Sequence, residues 1–199
     1  MSWYEKAVDS FTRANENPLA NGVWSTAIGS GAQLSGNRVG APGASAHHGS
    51  LHSVSLGNDQ YAIFTVNAVA NTNYDWLALR AETAGGLDCY CLQMDGGTPT
   101  TFYITRFTNG TQSTLATLSS KQSRVTYPTF RFTAVGTTLS ADYWNGSAWM
   151  NFGSVVNSAL TSGKAGVGCY RGAGGGYYQY NWSVGDDQAP AGGIVVPVL

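Results

Sequence analysis

Charge is what this chain has least of. Asp, Glu, Lys and Arg make up 11% of its 199 residues, against roughly 25% in an average globular protein. Ten basic and eleven acidic residues leave a net charge of −1. No basic face is evident, which argues against nucleic acid as a partner. There are only three glutamates, Glu5, Glu16 and Glu82. A glycosidase needs two carboxylates flanking one bond, and no Glu-x-Asp-x-x-Glu strand motif is present to supply them. Glu82 approaches Asp88 only as a surface pair across a turn. No Ser/His/Asp or Cys/His arrangement stands out either. The three cysteines, Cys89, Cys91 and Cys169, are an odd number and form no disulfide framework. They read as small buried hydrophobes. No apolar run approaches the length of a membrane span. The opening residues, MSWYEKAVDSF, show no basic segment followed by an apolar run. The sequence therefore predicts a chain made in the cytosol, or one whose leader has been cut.

What is abundant is Ser, Thr, Asn and 26 glycines, in short stretches of period-two alternation separated by turn residues. Gln60–Val69, Tyr74–Glu82, Leu87–Met94, Thr101–Phe107, Thr111–Leu118, Pro128–Ala134, Lys164–Tyr170 and Tyr177–Gly185 read as strands. Gln33–Val39 reads as a short strand with a Gly-Asn bend, and Asn109-Gly110 as a hairpin turn. Ten to twelve short strands without an amphipathic helix predict a sandwich or barrel.

The stretch GTTLSADYWNGSAWM, Gly136–Met150, reads as strand, tight turn, strand. With a two-residue type I′ turn at Asn145-Gly146, Asp142 pairs with Trp149 and Tyr143 with Ala148. Leu139, Ala141, Tyr143, Ala148 and Met150 then face the core. Asp142, Trp144 and Trp149 share the other face as two indoles beside a carboxylate, a surface suited to a sugar ring. Tyr177 and Tyr178, after the glycine run 172–176, form a second aromatic group of that kind. His47, His48 and His52 read as solvated loop histidines, since their spacing matches no metal motif.

Three segments carry a resemblance: DSFTRANENPLANGVW near the start, VGTTLSADYWNGSAW in the middle, and SGKAGVGCYRGAGGGYYQYNWSVGDD near the end. Together, and in this order, they resemble the concanavalin A-like, laminin G-like jelly-roll family from Asp9 to Asp187. The resemblance implies an all-β, two-sheet antiparallel jelly-roll sandwich with its first and last strands adjacent. Opening segments of the D-x-F-x-R type look most like those of bacterial extracellular and phage-encoded virion modules. The family often binds calcium near the paired terminal strands, where Asp9 and Asp186 or Asp187 would come close. The family also hosts lectins, glycan-binding modules, glycosidases and structural proteins, so fold alone does not decide function.

The expected organisation is an N-terminal arm or helical turn over residues 1–8, a jelly-roll domain over 9–187, and an apolar tail over 188–199. Ile194, Val195, Val196, Pro197, Val198 and Leu199 suit a docking arm that adds to a neighbour's sheet edge or groove. The expected function is a non-catalytic structural surface module of a phage virion, head decoration or tail-associated, with weak adhesion to cell-surface glycan. Its expected partners are other subunits, as a homo-oligomer or with capsid or tail proteins. A free extracellular carbohydrate-binding module and a glycoside hydrolase stay open as alternatives.

Overall fold

A computed structural model describes residues 2–43, 46–66, 74–95, 101–118, 128–171 and 179–188, with Tyr180 as backbone only. These residues form strands and connections with no helix. The strands are β1 (Tyr4–Asp9), β2 (Trp24–Ile28), β3 (Gln33–Ser35), β4 (Arg38–Gly40), β5 (His47–His52), β6 (Gln60–Val66), β7 (Tyr74–Glu82), β8 (Asp88–Asp95), β9 (Phe102–Thr108), β10 (Thr111–Leu118), β11 (Thr129–Val135), β12 (Thr138–Trp144), β13 (Trp149–Val156), β14 (Lys164–Tyr170) and β15 (Gln179–Asp186). An eight-stranded antiparallel sheet runs β13-β12-β11-β6-β15-β4-β3, with β1 also paired to β15. A seven-stranded sheet runs β10-β9-β8-β7-β14-β5-β2. Residues 4–8 are therefore no arm. Tyr4–Asp9 is a strand paired with β15, which makes the first and last strands neighbours as the resemblance implies.

Alternation along each strand decides the two faces. Leu77, Leu79, Leu92, Phe130, Phe132, Leu139 and Ala141 are buried in the main core between the sheets. Trp76, Ala78, Cys89, Cys91, Phe107 and Leu51 form a second cluster on the opposite face of the seven-stranded sheet. All three cysteines are free and buried, so they serve as packing atoms.

The opening segment, Asp9 to Trp24, is a polar knot. Asp9 accepts hydrogen bonds from the Phe11 amide at 2.7 Å, Arg13 Nη1 at 2.6 Å and Trp24 Nε1 at 2.8 Å. Arg13 Nε also reaches Glu16 at 2.6 Å. The knot seats Phe11 and Trp24 in the core.

The opposite-facing plug is Arg80. Its φ is 51°, and the register between β7 and β8 shifts between Leu79 and Glu82. This irregularity carries the side chain into the interior, where it is 1% exposed. Its guanidinium donates to the carbonyls of Asn58 (3.0 Å), Gly136 (2.8 Å) and Leu160 (3.0 Å). Asp59 lies 3.6 Å away. Replacing Arg80 by Met orphans three carbonyls and one carboxylate at once. Arg80→Met is expected to lose about 3–5 kcal/mol of stability, read as a lower urea midpoint at unchanged m-value.

Candidate functional site

The strongest concave site lies on the outer face of the seven-stranded sheet, at the end where β7 begins and β8 and β14 finish. Register places its residues side by side. Tyr74 pairs with Tyr170, Tyr170 with His47, Trp76 with Gln93, Gln93 with Tyr103, and Phe107 with Gln112. Together with Thr114, six of these line an open cavity of about 440 Å³: His47, Tyr74, Gln93, Tyr103, Gln112 and Tyr170.

Its wall is an aromatic row. Tyr74 and Tyr170 lie 5.9 Å apart, and Tyr170 and His47 5.1 Å apart. His47 meets Phe107 edge-on at 5.1 Å. The floor is Trp76, fully buried, and its indole lies across β14 and β5. A Cβ at Gly49 or Gly168 would overlap that ring, so only glycine admits it there. Opposite the aromatics, Gln112 donates its amide to Gln93 and also bonds His47.

Three buried polar atoms on this face have no hydrogen-bond partner among the described residues: His47 Nδ1, Trp76 Nε1 and Thr105 Oγ1. Trp76 and Thr105 are fully buried. Such atoms are costly to leave unpaired; of the three residues, only His47 lines the cavity. Burial pushes the Tyr74 phenol up, with Asp95, Tyr103 and Tyr170 adding to the effect. Burial also holds His47 below its ordinary value, helped by His48 and opposed by the Gln112 bond. The groove therefore offers flat rings, neutral amides, phenols and an uncharged imidazole. Among the described residues no carboxylate lines it. Glu82 and Asp88 do pair in register, but at the far end of β8, roughly 23 Å from Asp95. Glu82 is exposed there.

The histidines are misplaced by the sequence reading. They belong to β5, which is paired along both edges, with β14 and β2, and is buried on both faces from His48 to His52. His48 is 5% and His52 8% exposed. His52 meets Trp24 edge-on at 5.0 Å.

The β12–β13 hairpin differs from expectation in register. Trp144 pairs with Trp149, Tyr143 with Met150 and Asp142 with Asn151. The Asn145 side chain accepts from the amides of Ser147 and Ala148, both at 2.9 Å. That capping stabilises a four-residue loop in place of a type I′ turn. Ala148 and Met150, expected in the core, are accordingly exposed. Leu139 and Ala141 are buried, and Tyr143 packs against the core. Asp142, Trp144 and Trp149 do come together on the outer face.

The aspartates do not. Tyr4 pairs with Asp186 and Asp9 with Trp182, which separates Asp9 from Asp186 by roughly 13 Å. Asp9 is spent on the opening knot. Asp186 accepts from the Gly57 amide at 2.6 Å and the Gln188 amide at 2.9 Å, with Lys6 at 3.4 Å. Asp187 accepts from the Gln188 side chain at 2.9 Å. Among the described residues no three acidic, His or Cys side chains are grouped to hold a metal ion. Tyr177, Tyr178 and Ile194 to Leu199 lie outside the described residues.

No family model and no curated protein matches the sequence. Solved structures match in fold. The carbohydrate-binding module CBM66 from Bacillus subtilis is 15% identical with a TM-score of 0.57, covering 82% of this chain and 91% of its own. A β-1,3-1,4-glucanase (lichenase) derived from a mouse hindgut metagenome is 11% identical with a TM-score of 0.61, covering 93% and 100%. The CBM2 module of the evolved Dit of Lactobacillus casei BL23 phage J-1 is 11% identical with a TM-score of 0.54, covering 93% and 97%. The fold is thus a concanavalin A-like jelly roll. Within it, the particular molecule is one with an aromatic, amide-lined groove on its seven-stranded sheet.

The histidines yield a pH expectation. His47, His48 and His52 all sit below their ordinary value of 6.5, first through burial. The unfolded chain then binds more protons as pH falls through about 6.5. The stability they contribute is complete above that pH and is lost below it, down to the folded-state values. The urea midpoint is expected to be flat at pH 7–8 and to fall as pH drops below about 6.5. Replacing His48 by Gln should flatten that fall.

Proposed function

We propose that the protein is a non-catalytic glycan-binding module that holds a sugar chain in the groove of its seven-stranded sheet. One observation carries this reading. The aromatic row Tyr74–Tyr170–His47 stands beside the neutral amides of Gln93 and Gln112 in one open cavity. A pyranose offers what this surface lacks, an apolar face edged by hydroxyl groups. Tyr74 and Tyr170 would stack on the ring. Gln93, Gln112 and the neutral His47 would exchange hydrogen bonds with its hydroxyls. The similarity to a carbohydrate-binding module and to a phage module supports the reading.

Hydrolysis is the second reading, favoured by the similarity to a lichenase. The groove opposes it, because its described lining contains amides where two carboxylates about 5–5.5 Å apart would be needed for a retaining mechanism. The narrower form of our reading is a virion-borne module that presents this groove to a cell-surface glycan. The similarity to the phage module and the low surface charge support it.

A glycan array probed with the intact protein tests the proposal. Tyr170→Ala and Gln93→Ala are each expected to weaken binding about tenfold, or about 1.4 kcal/mol, at unchanged melting temperature. Glu82→Gln is expected to change nothing, and no reducing ends should appear on prolonged incubation with the bound glycan. Binding indifferent to Tyr170, or release of reducing ends that Glu82→Gln abolishes, would overturn the proposal.

A further inference from the structure

The opposite face of the sandwich carries a second constellation that the groove does not use. At the tip of the β12–β13 hairpin, the Trp144 and Trp149 rings lie 5.5 Å apart at 61°, both half-buried. The Arg131 guanidinium sits over the Trp149 ring at 4.6 Å. It is pinned there by Asp142, whose Oδ2 accepts from Nε at 3.0 Å and lies 2.9 Å from Nη2. Asn151 Nδ2 donates to the other carboxylate oxygen at 3.0 Å. The Trp149 N–H is covered and has no hydrogen-bond partner among the described residues, so polar recognition here falls to Arg131 and Asn151.

This tip is the end of a longer surface. Register carries the row from Arg131 to Ile63, then to Ser183, then to Val8. Beside it, the hydroxyls of Thr65 and Thr129 meet at 3.1 Å, and Thr65 pairs with Asn181. Val8, Ile63, Thr65, Asn181 and Ser183 line a shallow depression of about 490 Å³, together with Ser10 and the acidic residues Glu5 and Asp9. From β1 to β13 the face crosses six adjacent strands, roughly 24 Å at ordinary interstrand spacing.

The chemistry selects the occupant. The cation is neutralised by Asp142, so a phosphate backbone finds no free charge, and an anionic membrane surface finds none either. The floor mixes hydroxyls, an amide and the acidic Glu5 and Asp9 around one Ile and one Val, too polar for the desolvated centre of a protein interface. A chain of sugar rings fits both features, stacking at the tryptophans and bonding along the floor.

We infer that the outer face of the eight-stranded sheet is a second glycan-binding trough, independent of the groove, with Trp144 and Trp149 as its stacking end. The two sites face opposite ways across the sandwich. One sugar chain therefore does not fill both, and each copy of the protein bridges two chains, gaining avidity on a dense glycan surface.

Indole ¹H–¹⁵N NMR of the full chain tests this. The six tryptophan side chains are assigned by Trp→Phe replacement. The probes are hexasaccharides of β-linked glucose, galactose and N-acetylglucosamine, each added in excess. The Trp144 and Trp149 signals are expected to move with at least one probe, in the wild type and equally in Tyr170→Ala. Trp144→Ala is expected to weaken that binding about tenfold without lowering the melting temperature or altering the response of the Trp76 signal. The inference is overturned if neither signal moves with any probe, or if both move only while Tyr170 is intact. A response at Trp144 with none that depends on Tyr170 would sink the groove and leave the trough standing.

Discussion

The sandwich depends on one buried cation. Arg80 belongs to the seven-stranded sheet, yet its guanidinium ends in three connections: β5–β6 through Asn58, β11–β12 through Gly136, and β13–β14 through Leu160. Beside it, Gln60 donates to the carbonyls of Gly57 and Gly163 and accepts from the Arg80 amide. A guanidinium presents its donors in a fixed planar fork, so the loops must meet it in one arrangement. Burial pushes the Arg80 pKa down while Asp59 opposes the shift. A buried charge of this kind adds little net stability by itself but is expensive to orphan. Its value lies in allowing only one way for the two sheets to close.

The same strand links that closed end to the open one. β7 is clamped at Arg80 and displays Tyr74 at its other terminus. Between them Trp76 lies over the two glycine positions of β5 and β14, where any Cβ would overlap its ring.

The sequence made the architecture legible where a local rule had no competitor. Asn109-Gly110 is such a place: both residues have positive φ and Thr108 pairs directly with Thr111. Asn145-Gly146 has the same letters and a different outcome, because Ser147 and Ala148 offer amides that the Asn145 side chain captures. The shift left Asp142, Trp144 and Trp149 on one face, so that group was readable even through an incorrect pairing. The groove was not readable. His47, Tyr74, Gln93, Tyr103, Gln112 and Tyr170 come from six separate strands, and period-two alternation says which face a residue takes but not which strands are neighbours. The run HHGSLH hid β5 for a related reason, since a strand covered on both faces need not alternate. Phe107 and the Gly49–Gly168 pair would have been the available signals, had the strand order been known. The D-x-F-x-R opening marked the fold correctly, while its aspartate proved to be committed to Arg13 and Trp24.

β15 carries an unusual share of the pairing. It bonds β6 along its length and meets β1 and β4 on its other side. Trp182 and Val184 from it complete the main core. Until this strand is in place, β6 has a bare edge and β1 has no partner at all. The early part of the chain therefore cannot settle while it is being synthesised. Closure must wait for a strand far along the sequence from β1, and contacts so distant in sequence form slowly. The nascent module spends that interval with an unpaired sheet edge exposed, the circumstance in which edge-to-edge association competes with folding.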